Sequence, residues 1–179
     1  MKKVLKVIGV LLLLIIAFVL IAGIFVSKVY HLERDITINA PRDTVWNNVS
    51  SLRAMMKWSP WTDPDPNVQL TYEGEDGAIG STFHWKGNKD VGSGNQTITS
   101  VDKPSSIKSH INFIEPFSGQ ADAYINLADA GGSTKATWGL DIKYPYPMNV
   151  MQLFVNMDDM MGKQYNTGLS RLKKLSEHQ

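Results

Sequence analysis

Hydrophobic positions along the chain follow three patterns in turn. From Val7 to Val26 (VIGVLLLLIIAFVLIAGIFV) no residue carries a charge, twenty in succession. At 1.5 Å per residue, a helix of that length covers roughly 30 Å, the thickness of a bilayer's hydrocarbon core, so the pattern predicts a transmembrane helix. A cleaved signal peptide carries a shorter apolar stretch, about 7–15 residues, ended by a small-x-small site. Here Phe25, Val26 and Ser27 close the run and no A-x-A pattern appears, which favours an uncleaved anchor. Residues 1–27 are read as N-terminal tail and anchor, and residues 28–179 as one soluble domain.

The second pattern is alternation. Within Tyr30–Asn39, Ile36 and Ile38 lie on one face and Thr37 and Asn39 on the other, which predicts a half-buried strand. Pro41 then opens a helix, with Asp43 in its first turn and Val45, Trp46, Val49 and Leu52 on its apolar side. Trp58-Ser59-Pro60-Trp61 ends this helical region, and Thr62–Asn67 (TDPDPN) has loop chemistry. Six short strands follow between glycine-rich turns: Val68–Tyr72, Ser81–Trp85, Asn95–Val101, Ile107–Ile114, Ala121–Leu127 and Thr134–Tyr144. In the last, Trp138, Leu140 and Ile142 alternate with Thr137, Gly139 and Asp141, as in an antiparallel meander with one buried face.

The third pattern has steps of three and four. Val150, Phe154, Met157, Met161, Tyr165, Gly168, Leu172 and Leu175 predict one long helix from about Pro147 to Leu175. The fold class is therefore α+β. A curved antiparallel sheet of about seven strands wraps on a long C-terminal helix, preceded by one N-terminal transmembrane helix.

Composition narrows the function classes. Hydrophobic residues make up 43% and charged residues 20%, as in an ordinary folded protein. With 18 basic and 17 acidic side chains, the net charge of +1 lacks the basic excess of a nucleic-acid surface. The absence of cysteine excludes disulfides, thiolate metal sites, cysteine nucleophiles and lipoprotein processing. Lys2, Lys3 and Lys6 precede the apolar run, against Lys28 and Arg34 after it. The positive-inside rule then places the N-terminus in the cytoplasm and the domain outside it, on a link of only a few residues.

Several segments, in order, carry a resemblance. They are Ile38–Pro41 (INAP) with Val45-Trp46, Lys57–Trp61 (KWSPW), Tyr72–Gly74 (YEG), Trp85–Gly94 (WKGNKDVGSG), Pro116–Gly119 (PFSG), Pro145–Asn149 (PYPMN), Met157–Gly162 (MDDMMG) and Gly168–Leu175 (GLSRLKKL). Together they resemble the START-like (SRPBCC) superfamily, whose birch-pollen-allergen fold is a helix grip. The likeness is to the membrane-anchored proteins labelled polyketide cyclase/dehydrase-like. It implies a hydrophobic cavity between sheet and long helix. It does not imply a particular chemistry, since such folds serve carriers, binders, cyclases and chaperone activators alike.

The residues offer little catalytic apparatus. His31, His84 and His110 fall out of phase with the apolar positions of their strands and His178 lies in the tail, so all four are read as solvent-facing. No pair has metal-ligand spacing on one face, no nucleophile has a neighbouring base, and no cofactor is expected. Asp158, beside the apolar stripe of the last helix, is the one candidate acid. Gly87–Gly94 lacks the order of a phosphate loop and reads as a hairpin. Methionines crowd the last helix (Met148, Met151, Met157, Met160, Met161) and Met55 and Met56 lie near the short helix, a composition suited to an adaptable apolar lining. The expected cavity residues are Val49, Trp58, Trp61, Phe83, Trp85, Phe113, Phe117, Trp138, Met151, Phe154, Met157, Met161, Gln164 and Tyr165. Three readings stay open: a membrane-tethered binder of a lipid, isoprenoid or polyketide-like molecule; a protein-interaction module at the membrane; and a cyclase or dehydratase using Asp158.

Overall fold

Seven antiparallel strands form one sheet, in the order β1-β7-β6-β5-β4-β3-β2. The structure, a computed structural model, describes residues 1–178. A helix α1 (Lys2–Phe25) leads into β1 (Val29–Ile38), followed by α2 (Arg42–Val49) and α3 (Leu52–Met56). The strands β2 (Gln69–Glu73), β3 (Thr82–Lys86), β4 (Ser93–Asp102), β5 (Ser106–Glu115), β6 (Gly119–Asp129) and β7 (Thr134–Lys143) follow as a meander. The chain then makes a 3₁₀ segment, Met148–Leu153, here called the strap, and ends in α4 (Met157–Glu177). The helix-grip architecture and the strand count agree with the sequence pattern.

The register gives the sheet two unlike faces. On the inner face, Leu32, Ala121, Ala123, Ile125, Ala136, Trp138 and Leu140 are buried against the helices. On the outer face, a polar row crosses six strands: His31, Asp141, Asp122, His110, Thr97 and Thr82 stand directly opposite one another. Asp141 and Asp122 are like charges on facing positions, which destabilises a ladder unless each is compensated. His31 Nδ1 lies 2.7 Å from Asp141, and His110 Nδ1 lies 2.6 Å from Asp122. Lys143 Nζ, 2.7 Å away, adds a cation beside Asp122. His31 and His110 are thus on the outer face, consistent with the phase of their strands, and each answers a carboxylate there.

Helix α4 seats on the inner face through two glycines. A Cβ at Gly168 would lie 2.7 Å from the Trp138 ring, so only a bare backbone allows helix and sheet this close. A Cβ at Gly162 would meet the tip of the Arg34 side chain, also at 2.7 Å. Farther along α4, Arg171 donates two bonds to Asp63, at 3.0 and 2.6 Å, and Lys173 donates to the Thr37 carbonyl at 2.7 Å.

The expected unbroken helix from Pro147 to Leu175 is corrected. The strap and α4 are separate, because the strap's polar side chains serve α1 and Asn156 starts a new helix. Asn156 Oδ1 accepts from the Asp159 amide at 3.2 Å, and Asp158 and Asp159 fill the first turn, where the helix dipole favours carboxylates. In the strap, buried Asn149 donates to the Gly23 and Val26 carbonyls, both at 2.8 Å. Tyr146 Oη donates to the Leu20 carbonyl at 3.1 Å, and Gln152 donates to Ser27 at 2.8 Å. The last carbonyls of a helix have no partner within it; here Asn149 supplies one for Gly23, and with the bonds to Leu20, Val26 and Ser27 the end of α1 is clamped to the rest of the molecule.

Two outcomes test this packing. Gly168→Ala should lower stability by about 1–2 kcal/mol, since overpacking outweighs the gain in helix propensity, whereas Gly162→Ala, which displaces only a flexible tip, should be neutral or stabilising; thermal unfolding separates them. The bonds from His110 and Lys143 hold the Asp122 carboxyl below its usual range. A depressed carboxyl stabilises above its unfolded pKa and loses that contribution as pH falls through the folded value. Asp122→Asn should therefore be less stable than wild type at neutral pH, with the difference vanishing in acid.

Candidate functional site

The inner face and α4 do not meet everywhere. Toward the end of the sheet where β3, β5 and β7 finish, they part to leave a cavity of about 200 Å³. Its floor is made by alternate residues of five strands: Phe83 and Trp85, Gln96, Ile111 and Phe113, Ala123, and Trp138 and Leu140. Gly94 makes this floor possible. A Cβ there would stand 2.4 Å from Trp85, so the indole can lie across β4 and meet Phe113, 6.0 Å away between ring centroids.

The inner wall is an aromatic cluster centred on Trp138. Tyr165 of α4 stacks on Trp138 at 4.1 Å, Trp58 meets it edge-on at 4.9 Å, and Trp61 stands 6.4 Å away. Trp58 is fixed by donating Nε1–H to the Asn48 carbonyl at 2.8 Å. Leu52, Met55 and Met56 of α3 and Met161 of α4 close the remaining sides.

The mouth is organised by one buried acid. Asp65 accepts from the Asn88 amide at 2.6 Å and from the Asn67 amide at 2.9 Å, tying the loop after α3 to the β3–β4 turn. Asn88 Oδ1 in turn accepts from the amides of Asp90 and Val91, at 2.9 and 3.2 Å, which holds those two residues at the cavity edge beside Trp61 and Thr62. The glycine-rich stretch is thus a structured hairpin end.

Polar groups on the lining are few: Ser59, Thr62, Asp90, Gln96 and the Tyr165 hydroxyl. Gln96 is committed to Ser109, 2.7 Å away. Tyr165 is 1% exposed and its hydroxyl has no hydrogen-bond partner among the described residues; burial pushes its pKa up, so it stays a neutral donor. No histidine or lysine reaches the lining, and no nucleophile there has a base beside it. Among the described residues no cluster of three or more His, Asp or Glu is placed to hold a metal. The arrangement can enclose an apolar group and offer it a hydroxyl.

Of the expected cavity residues, Trp58, Trp61, Phe83, Trp85, Phe113, Trp138, Met161 and Tyr165 come together on the lining. Six do not. Val49 is fully buried, but in the core where α2 packs on β6 and α4. Gln164 lies half-buried beside the apolar stripe of α4, and Met157, half-buried, begins that helix one turn beyond the lining. Met151 and Phe154 are carried outward by the break before α4, and Phe117 caps the β5–β6 hairpin in the open. Asp158 is also displaced. It is exposed and pairs with Arg34 Nη2 at 2.6 Å, outside the cavity. The sequence reading did not single out Leu52, Ser59, Thr62, Asp90, Val91, Gln96, Ile111, Ala123 and Leu140. Ile111 and Leu140 carried the signal of strand phase, whereas Gln96 is a polar side chain in a mostly polar strand, where only Ile98 marks the inner face.

The family model described as "Polyketide cyclase / dehydrase and lipid transport" matches residues 30–177. No curated protein matches the sequence. Among solved structures, Ms6760 from Mycobacterium smegmatis is 21% identical with a TM-score of 0.56, over 84% of this chain and 96% of that one. MLL2253 from Mesorhizobium loti is 11% identical with a TM-score of 0.59, over 83% and 98%. The crystal structure of Ara h 8.0201 is 15% identical with a TM-score of 0.57, over 84% and 99%. At these identities the likeness is one of fold.

The Tyr165 hydroxyl gives a stability test. A hydroxyl that no protein group bonds can be removed without losing a hydrogen bond. Tyr165→Phe should therefore leave the empty protein as stable as wild type or more so, by thermal unfolding after delipidation.

Proposed function

The chain belongs to the polyketide cyclase/dehydrase and lipid-transport family of the START-like superfamily, and from that premise we propose that it binds an apolar small molecule while tethered to a membrane by α1. One observation carries the reading: an apolar cavity walled by tryptophans and methionines, with few polar groups on its lining. Aromatic and methionine walls favour apolar shape over specific polar contacts. The volume suits a short acyl or isoprenoid segment or one small ring system, with the methionines giving way to larger occupants. A carbonyl or hydroxyl on the ligand would complete the bonding of Tyr165.

The tether reading rests on α1, 24 residues long, with an 18-residue stretch of mean hydropathy 3.3 that is almost wholly exposed. An exposed apolar surface of that size needs lipid around it. The lysines at positions 2, 3 and 6 favour a cytoplasmic N-terminus.

Ala123 supplies the test, since its methyl faces the cavity and a phenyl ring there fills it. The full chain, purified from membranes and exchanged into a lipid-free detergent, should yield a stoichiometric apolar molecule on solvent extraction and mass spectrometry. Ala123→Phe should fold, with unchanged circular dichroism, and yield none. A wild-type protein that carries nothing and takes up no fluorescent apolar probe would sink the binding reading and favour a protein-interaction module.

A further inference from the structure

We infer that the strap and the tip of the β5–β6 hairpin form a second membrane contact, which lays the cavity end of the molecule on the bilayer beside the span. The inference rests on the reading of α1 as a membrane helix.

The argument starts from the register. One end of the sheet comprises the start of β1 at Val29, the end of β7 at Lys143, the start of β6 at Gly119 and the end of β5 at Glu115. Only residues 26–28 separate α1 from β1, so this end adjoins the point where α1 stops. From β1 to β5 is three strand spacings, roughly 14 Å. The hairpin tip 116–118 therefore stands beside the end of α1 and not across the molecule from it.

Apolar side chains left in the open gather at this end. Phe117, at the hairpin tip, is 84% exposed, and Ile114 beside it is exposed. Phe154 is 73% exposed, and Met148, Met151 and Leu153 also face outward. The strap is two-sided: Asn149 is buried against α1 and Val150 is buried beside it in the chain, while its other apolar residues are not covered. The buried core has no use for these side chains, and three of them, Phe117, Met151 and Phe154, were expected from sequence in the cavity.

Lipid is the occupant because of where the strap is fastened. Tyr146 Oη bonds the carbonyl of Leu20, five residues before the end of α1 at Phe25 and so roughly 7–8 Å back along its axis. Interfacial helices sit about 5–10 Å into the headgroup boundary, and tyrosine favours that level. A span placed in a bilayer thus carries the strap with it to the same depth. Lys28, Lys86 and Lys89, at the same end, can meet phosphates, with Asp90 and Glu115 as the opposing charges among them. Trp85, Phe113 and Val91 bring the cavity to this end as well. An apolar ligand could then pass between leaflet and cavity without crossing water.

The cysteine-free chain permits single-cysteine variants of the full protein. Phe117→Cys, Phe154→Cys, Phe18→Cys in the span and Lys103→Cys at the opposite sheet end would each carry an environment-sensitive fluorophore. They would be reconstituted in phosphatidylethanolamine–phosphatidylglycerol vesicles containing lipids brominated along the acyl chain. The expected result is blue-shifted emission and several-fold stronger lipid quenching at 117, 154 and 18 than at 103. Quenching at 18 with water-like emission at 117 and 154 overturns the second contact and leaves the tether standing. Shielded but unquenched labels at 117 and 154 indicate a protein neighbour and also overturn it. No quenching at 18 defeats the tether and this inference together.

Discussion

Everything in the site depends on how closely α4 approaches the sheet at Trp138. A helix lying on a sheet normally keeps a side chain's thickness between the two backbones. At Gly168 that thickness is missing, and the Trp138 ring occupies the place. The indole is thereby held flat enough for Tyr165 to stack on it and for Trp58 to meet its edge. This contact works as a fulcrum: helix and sheet are pinned there and diverge on one side of it, leaving space between them. The cavity is thus the counterpart of tight packing next to it.

The other governing constraint is at the junction with α1. A helix end exposes carbonyls that water normally satisfies, and in or near lipid such groups are costly. Asn149 answers one of them at Gly23, and Tyr146 and Gln152 fasten the same junction at Leu20 and Ser27. The chain segment between β7 and α4 is therefore shaped by the needs of α1, and the direction of α4 inherits that. Asp158, at the head of α4, lies over Arg34 of β1 in consequence, which makes it a fastening at the sheet edge.

Much of the fold was legible because its signals are local. Alternation in 134–144, loop chemistry in 62–67 and the three-to-four spacing of Met161, Tyr165 and Leu172 each report a periodicity, and the structure has the corresponding element. The cavity was legible only where strand phase and bulk coincide, as at Phe83, Trp85, Phe113 and Trp138. It was obscure at Ala123 and Gln96, whose small or polar side chains carry no hydrophobic signal although their strands place them on the inner face. The break between strap and α4 was hidden for another reason. Val150 and Phe154 keep the helical spacing of Met157 and Met161, but the interactions that divide the segment reach across more than a hundred residues to α1. Periodicity reports burial without saying against what, and Phe117, Met151 and Phe154 are apolar for a surface that lies outside the folded core.

Tryptophan placement has an optical consequence. Of the five tryptophans, Trp58, Trp61, Trp85 and Trp138 line one cavity, and only Trp46 belongs to the core elsewhere. Four of the five ultraviolet emitters of the molecule therefore stand in the walls of this cavity. The protein carries its own gauge of what fills that space, with no dye attached and no residue changed.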